Sequence, residues 1–211
     1  GFNASTNIAH LYVPLVQVAD ILLPQTEEFG GPKQVVVPVG VDQAPMIEQT
    51  REIVHKFNSV YGETLVDPKI VLPDNEACLR LPGTDGKAKM SKSLGNCIYL
   101  SEDPADIKKK VMSMYTDPNH IRVEDPGQVE GNSVFTYLDA FSKPEYFEEF
   151  LPDYSGMDEL KEHYSRGGLG DVKVKKFLNN VLQAELAPIR ERRQMWEKRP
   201  QDVYDILKSG S

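Results

Sequence analysis

The chain has 211 residues, enough to bury a sizeable core as one large domain or two small ones, and two are expected. Lys and Arg number 24 against 32 Asp and Glu, a net charge of −8 that excludes a global basic field for nucleic acid. No apolar run approaches the length of a membrane span and no charged-then-apolar leader opens the chain, so a soluble, cytoplasmic protein with no membrane partner is expected.

From Leu11 to Leu23 apolar residues are dense, with Asp20 embedded among them; Pro14 near the front predicts a helix starting there. Gln25 to Lys33, with Gly30-Gly31-Pro32, is punctuated as a loop. Val35-Val36-Val37-Pro38-Val39, ending at Gly40, is a short β-branched run of the kind that forms a buried parallel strand. Asp42 then serves as N-cap and Pro45 lies in the first turn of a helix carrying Met46, Ile47, Ile53, Val54, Phe57 and Val60. Gly62 stops it, and Lys69 to Leu72 reads as a further strand before Pro73. Strand, helix, strand and loop are the grammar of an α/β sheet.

The character changes at Ser101. Asp103-Pro104-Ala105-Asp106 is a helix start with acid in its first turn, and the signals beyond are mostly helical. The last long helix starts near Asp171 and carries Val174, Phe177, Leu178, Val181, Leu182, Leu186 and Ile189 on one stripe, with a kink expected at Pro188. The fold class is therefore α/β plus all-α, divided at residues 1–100 and 101–211. Cys78 and Cys97 stand without CxxC spacing and are read as free thiols. His10, His55, His120 and His163 form no ligand pair at helical spacing, so no metal site is expected.

Three constellations carry chemistry. Lys89-Met90-Ser91-Lys92-Ser93, between Gly86 and Gly95-Asn96, sets two ammoniums and two hydroxyls on a mobile loop suited to a polyphosphate. On such a loop two lysines stabilise charge growing on a departing pyrophosphate. Gly40-Val41-Asp42-Gln43 stands where a strand runs into a helix, the place where open α/β sheets bind ligands. There Asp42 can accept from ribose hydroxyls and Gln43 can serve a substrate's ammonium or carboxylate, although an isolated Asp-Gln is more often a helix cap beside a surface residue. Asp20 lies in Val18-Ala19-Asp20-Ile21-Leu22-Leu23; a carboxylate in apolar surroundings needs a donor, so either the helix turns Asp20 outward or pairs it with Lys or Arg, or the missing donor is a ligand. Basic patches at Lys108-Lys109-Lys110, at Lys173 with Lys175-Lys176, and at Arg190, Arg192, Arg193, Lys198 and Arg199 are local candidates for RNA.

Together these residues resemble the tryptophanyl-tRNA synthetases of bacteria and archaea. The resemblance rests on VADILL around Asp20, VVVPVG-x-DQ at Val35 to Gln43, Met46 to Asn58, and Lys89 to Ser93, which matches the KMSKS signature of class I synthetases. It continues through Asp106 to Asn119, Glu124 to Phe141 and Ala184 to Arg193, in family order over nearly the whole chain. It implies the C-terminal part of a Rossmann-like catalytic domain over residues 1–100, then a helical anticodon-binding domain over 101–211, incomplete at its end. The activity implied is tryptophan-tRNA ligase: tryptophan and ATP, with Mg2+, give tryptophanyl-adenylate, and tryptophan passes to tRNA(Trp). Lys89 and Lys92 are the implied catalytic residues, Asp20 and Gln43 the tryptophan ligands, and Asp42 with Lys89, Met90, Ser91, Lys92 and Ser93 the ATP site. A homodimer is implied as well.

Two departures stand out: Val41 replaces the Glu that commonly precedes the family's DQ, and no HIGH-type motif occurs in these residues. With Gly1 in place of Met at the start, the chain reads as a piece of a longer protein that forms no adenylate alone. Tyrosyl-tRNA synthetase is the nearest rival, though its usual Tyr-Asp pair and GSDQ pattern are replaced here by Ala19-Asp20 and Gly40-Val41-Asp42-Gln43. A non-catalytic, RNA-binding relative is the rival of a different class.

Overall fold

The computed structural model describes residue 3 and residues 5–74, 81–87 and 89–210, with Leu11 by its backbone alone; Cys78 lies outside the described residues. It divides into two compact units, Gly1–Leu79 and Arg80–Ser211. No helix among the described residues is long and apolar enough to cross a membrane.

In the first unit, helix α1 (Ala9–Leu22) begins before Pro14 and includes it. The start lies upstream because the Asn7 side chain accepts from the Ala9 N–H at 2.9 Å, satisfying an orphan donor of the first turn. A 3-10 turn follows, and Gln25 within it is buried: its amide donates to the Val66 carbonyl (2.6 Å) and accepts from the Val66 N–H (2.7 Å), as a strand residue would. Strand β1 (Val36–Pro38) and helix α2 (Ala44–Tyr61) lead to strand β2 (Lys69–Val71), a βαβ unit with parallel register Val36↔Lys69, Val37↔Ile70 and Pro38↔Val71. The flanking bonds, Lys69 N–H to Val35 carbonyl and Val39 N–H to Val71 carbonyl, put the Pro38 nitrogen on the side away from β2, where no donor is needed.

Three expectations for this unit change. The strand is not fully buried: Val36 is 55% exposed and Pro38 is exposed as well, while Val35, Val37 and Val39 on the other face are half-buried, so one face of the ribbon is open. The N-cap of α2 is Gln43 rather than Asp42, since Val41–Gln43 form a 3-10 turn, and the Gln43 side chain makes no cap hydrogen bond. The face α2 buries is Ile47, Thr50 and Val54, one stripe at helical spacing, whereas Phe57 and Val60 remain exposed. Gly62 does end the helix, with φ 83° and its N–H on the Asn58 carbonyl, and Asn58's side chain then ties down Thr64 and Leu65.

The second unit holds α3 (Pro104–Met112), α4 (Ser133–Phe141), α5 (Pro144–Phe150), α6 (Met157–Arg166), α7 (Asp171–Glu197) and α8 (Pro200–Ser209). Asp103 caps α3, as expected, accepting from the Ala105 N–H at 2.9 Å; Asn132 caps α4 through Val134 N–H at 3.1 Å. The core forms around α7, whose Val174, Phe177, Leu178, Val181, Leu182 and Leu186 are all buried. Ile189, the last member of the expected stripe, is 39% exposed, and Pro188 stands inside the continuous helix. Residues 81–100 pack with this unit: Tyr137 O–H donates to the Pro82 carbonyl (2.8 Å) and Tyr115 N–H to the Thr84 carbonyl (3.0 Å), which explains why the division falls before Arg80. Cys97 is a buried free thiol there.

Asp171, in the first turn of α7, is the polar centre of this core. Tyr164 O–H donates to its Oδ1 at 2.6 Å, Thr116 to its Oδ2 at 2.7 Å, and His120 Nδ1 lies 2.9 Å from Oδ1. Burial pushes the carboxyl up, but the hydrogen bonds from Tyr164, Thr116 and His120 outweigh it and hold the group below the ordinary carboxylate range. The same burial, with the carboxylate beside it, raises the Tyr164 phenol. A depressed folded-state pKa gives stability that is complete above the unfolded value and lost as pH falls through the folded one. We therefore expect denaturant midpoints to drop as the pH goes below about 4. Asp171→Ala, which leaves buried donors unanswered, should cost about 3 kcal/mol at pH 7 and weaken that acid dependence. Unchanged urea midpoints for the variant at neutral pH would show that the network contributes no net stability.

Candidate functional site

The residues singled out from the sequence fall in both units. Within Gly1–Leu79, Gln43 sits just past the carboxyl end of β1, and its Oε1 accepts from Gln17 Nε2 of α1 at 2.9 Å. Its own Nε2 lies 3.3 Å from Asp42 Oδ2, so Gln17, Gln43 and Asp42 form one polar chain. The 3-10 turn Val41–Gln43 makes this possible by turning two successive side chains out of the strand end before α2 begins. Val41, which takes the place of the family's usual Glu, is exposed and apolar.

Asp20 lies three residues beyond Gln17 on α1, hence on the same face. It is exposed, with no hydrogen bond or ion pair to a described residue, and the expected apolar enclosure is not present. The cause is the helix's own situation: Tyr12, Val13, Leu15 and Val16 are exposed too, Tyr12 by 64%, and among the described side chains of the helix Val18 is the buried one. Gln17 escaped the sequence reading because a glutamine within an apolar helix gives no signal of its own. The pairing with Gln43 spans 26 positions and becomes visible only in the fold.

Within Arg80–Ser211, the segment Lys89 to Ser93 runs from a bridge at Lys89 into a turn over Lys92–Gly95. Lys89 bridges antiparallel to Pro82, the Ser91 and Ser93 hydroxyls meet at 2.9 Å, and Gly95 closes the turn at φ 66° with its N–H on the Lys92 carbonyl. Lys89, Lys92 and Ser93 are exposed. Met90 packs against the helical core, so its side chain anchors the loop. The arrangement presents two hydroxyls already brought together and two flexible cations, a set that suits tetrahedral phosphate oxygens. Asn96, behind the turn, accepts the Ser91 N–H at 2.8 Å.

Several cations of the basic patches are committed to other partners. Lys110 donates to the Cys97 carbonyl and pairs with Glu102; Lys173 pairs with Asp153 at 2.9 Å; Arg193 pairs with Glu197 at 2.7 Å. Lys175 reaches the Met112 carbonyl, and burial lowers its ammonium, an effect partly offset by Asp171. Arg190 donates to Gln183 at 2.9 Å, and Arg199 pairs with Asp202. Lys108, Lys109, Lys176, Arg192 and Lys198 are exposed.

The sequence is similar to known proteins along its length. It is 59% identical over 211 residues to a tryptophan--tRNA ligase of Clostridium longisporum, which covers all of this chain and 57% of that one. A tryptophan--tRNA ligase of Streptococcus mutans is 55% identical over 212 positions, again all of this chain and 58% of the relative. The chain thus spans little more than half the length of the curated relatives it matches. Among solved structures, Campylobacter jejuni tryptophanyl-tRNA synthetase complexed with ADP and tryptophan superposes with a TM-score of 0.67 at 31% identity, covering 99% of this chain and 57% of that one. Its likeness agrees with the expected fold class, part of a Rossmann-like domain with a helical part. The family model for class I tRNA synthetases (W and Y) matches residues 2–187, a span that takes in both the Asp42-Gln43 turn and the segment Lys89 to Ser93, and the chain belongs to that family.

Proposed function

We propose that the protein carrying these residues is a tryptophan-tRNA ligase. The observation that carries this reading is the segment Lys89–Ser93, with its hydroxyls paired at 2.9 Å and both lysines exposed, in a chain of the class I tRNA synthetase family. The tryptophan names of relatives at 53–59% identity, and Asp20 as an acceptor for an N–H that can only donate, favour tryptophan over tyrosine.

In the reaction proposed, a carboxylate oxygen of tryptophan attacks the α-phosphorus of ATP, the bond to the β-phosphate oxygen breaks, and pyrophosphate leaves. A ribose hydroxyl at the end of tRNA(Trp) then attacks the acyl carbon, loses its proton and displaces AMP. Asp42 takes the ATP ribose, Gln43 the α-groups of tryptophan, and Asp20 the indole N–H. Ser91 and Ser93 donate to phosphate oxygens, while Lys89 and Lys92 meet the charge that accumulates on the leaving pyrophosphate. Magnesium arrives with the nucleotide, bound to its phosphates as part of the substrate. Residues 1–100 supply the catalytic part and 101–211 the helical part that takes the tRNA anticodon, in a cytoplasmic homodimer.

Tryptophan-dependent pyrophosphate exchange by the full-length protein tests this. Exchange is expected with tryptophan and not with tyrosine; the reverse would overturn the assignment. Asp20→Ala removes a charge-assisted hydrogen bond worth about 1.5 to 3 kcal/mol, so the KM for tryptophan should rise about tenfold to a hundredfold. A variant with native tryptophan dependence would show that Asp20 does not touch the substrate.

Lys89→Ala and Lys92→Ala should lower the rate constant of adenylate formation more than they weaken ATP binding, because pyrophosphate charge is greatest in the transition state. Single-turnover kinetics across ATP concentrations separate the two quantities. An effect confined to ATP affinity would remove both lysines from the chemical step.

A further inference from the structure

We propose that Asn96, seated against Gly83 and Asp85, is the positioning residue of the phosphate loop, an inference that builds on the synthetase reading above. Asn96 is 4% exposed, and its amide is engaged at both ends. Its Oδ1 accepts the Ser91 N–H at 2.8 Å, and its Nδ2 donates to Asp85 Oδ1 at 3.2 Å and more weakly toward the Lys89 carbonyl at 3.4 Å. Its backbone carbonyl accepts the Thr84 N–H at 2.9 Å. One side chain thus closes the turn on itself, holding the main chain at Lys89 and Ser91 from the far side of Gly95.

The amide's orientation has a single solution. Ser91 offers only an N–H at that position and ionised Asp85 offers only acceptors, so oxygen must face Ser91 and nitrogen must face Asp85. Gly83 supplies an independent sign that the fit is built. A Cβ there would lie 2.1 Å from Asn96 Nδ2 and 2.5 Å from its Cγ, although Gly83 has no left-handed backbone that would itself require glycine. Glycine stands at 83 because the Asn96 amide occupies the space a side chain would take.

This latch is tied in turn to the helical core. Pro82 accepts from Tyr137 O–H, Thr84 accepts from Tyr115 N–H, and Gly86, at φ 67°, lies so close to the Tyr115 ring that a Cβ would come within 2.6 Å of it. The path from core to loop runs Tyr137 and Tyr115, residues 82–86, Asn96, then Ser91 and Lys89. Its consequence for the chemistry is orientation: with the main chain held, only the Lys89 and Lys92 stems and the Ser hydroxyls need to find the phosphates. Asn96 touches no substrate and acts through the loop.

The test uses the full-length protein with Asn96→Ala, Asn96→Asp, and Asn96→Asp combined with Asp85→Asn. Asn96→Ala should lower the limiting rate of adenylate formation about tenfold to a hundredfold while changing the ATP dissociation constant less than about threefold. Asn96→Asp keeps the acceptor for Ser91 but faces two carboxylates together, and should be comparably slow. The double variant exchanges donor and acceptor between positions 85 and 96 and should recover about tenfold over Asn96→Asp, which loss of packing alone would not give. Hydrogen exchange of a peptide containing Ser91, followed by mass spectrometry, should be slow in the native protein and the double variant and fast in the two single variants.

Asn96→Ala within twofold of the native rate, or a double variant no better than Asn96→Asp, would overturn the proposal. A native protein that makes no adenylate overturns the synthetase reading instead. The latch is then judged by Ser91 exchange, where the pattern above supports it and equal rates in all four proteins overturn it.

Discussion

The helical core can close only if the carboxylate carried on the first turn of α7, Asp171, is answered by donors. Its two oxygens take Tyr164, Thr116 and His120, drawn from α6 and from the segment between α3 and α4. The carboxylate is acceptor-only, so every partner must donate, and this fixes the imidazole and both hydroxyls in one arrangement. Around that arrangement Val174 through Leu186 can close against Phe135, Leu138, Phe147 and Leu160. An apolar residue at 171 would remove the acceptor and leave buried donors behind, a larger loss than any single hydrogen bond gained.

The order of that core reaches the segment Lys89 to Ser93 by short steps. Ser133, at the start of α4, donates to the Tyr115 carbonyl at 2.7 Å, and Tyr115 N–H in turn holds Thr84. Met90 and Ile98 pack on the same core from either side of the turn. The loop's polar tip is therefore exposed while its base is embedded, the combination a site needs if it is to meet a charged ligand in water without rebuilding its backbone each time.

Much of the helical unit could be read in the sequence because its signals are local. Asp103 before Pro104, and the spacing from Val174 to Leu186, follow from capping and a 3.6-residue period, and both stand in the structure. The segment Lys89 to Ser93 stands out as five adjacent residues with glycine on either side. What escaped depends on partners distant in sequence. Gln17 with Gln43, Gln25 with Val66, and Tyr137 with Pro82 are separated by 26, 41 and 55 positions, and none leaves a periodic trace. The helix of Asp20 was misplaced at its start since Pro14 resembles a first-turn proline, while the Asn7 turn upstream carries the actual start. Burial of Val36 and Asp20 was over-read for one reason: an apolar pattern states what a segment can cover and not what covers it.

A net charge of −8 makes the approach of a polyphosphate unfavourable at long range, so attraction has to be produced close to the loop. Several patch cations are drawn instead into pairs with Glu102, Asp153, Glu197 and Asp202 or into bonds with carbonyls. Lys89 and Lys92 are exposed on a backbone held by Asn96, which changes what binding costs. Ordering a loop residue costs about 1 to 2 kcal/mol in backbone entropy alone, so ordering five would cost several times what two exposed ion pairs can return. With the main chain already set in a turn, the remaining cost is that of the side-chain rotamers. Charge placed on a pre-formed turn can therefore favour a phosphate that the chain as a whole repels.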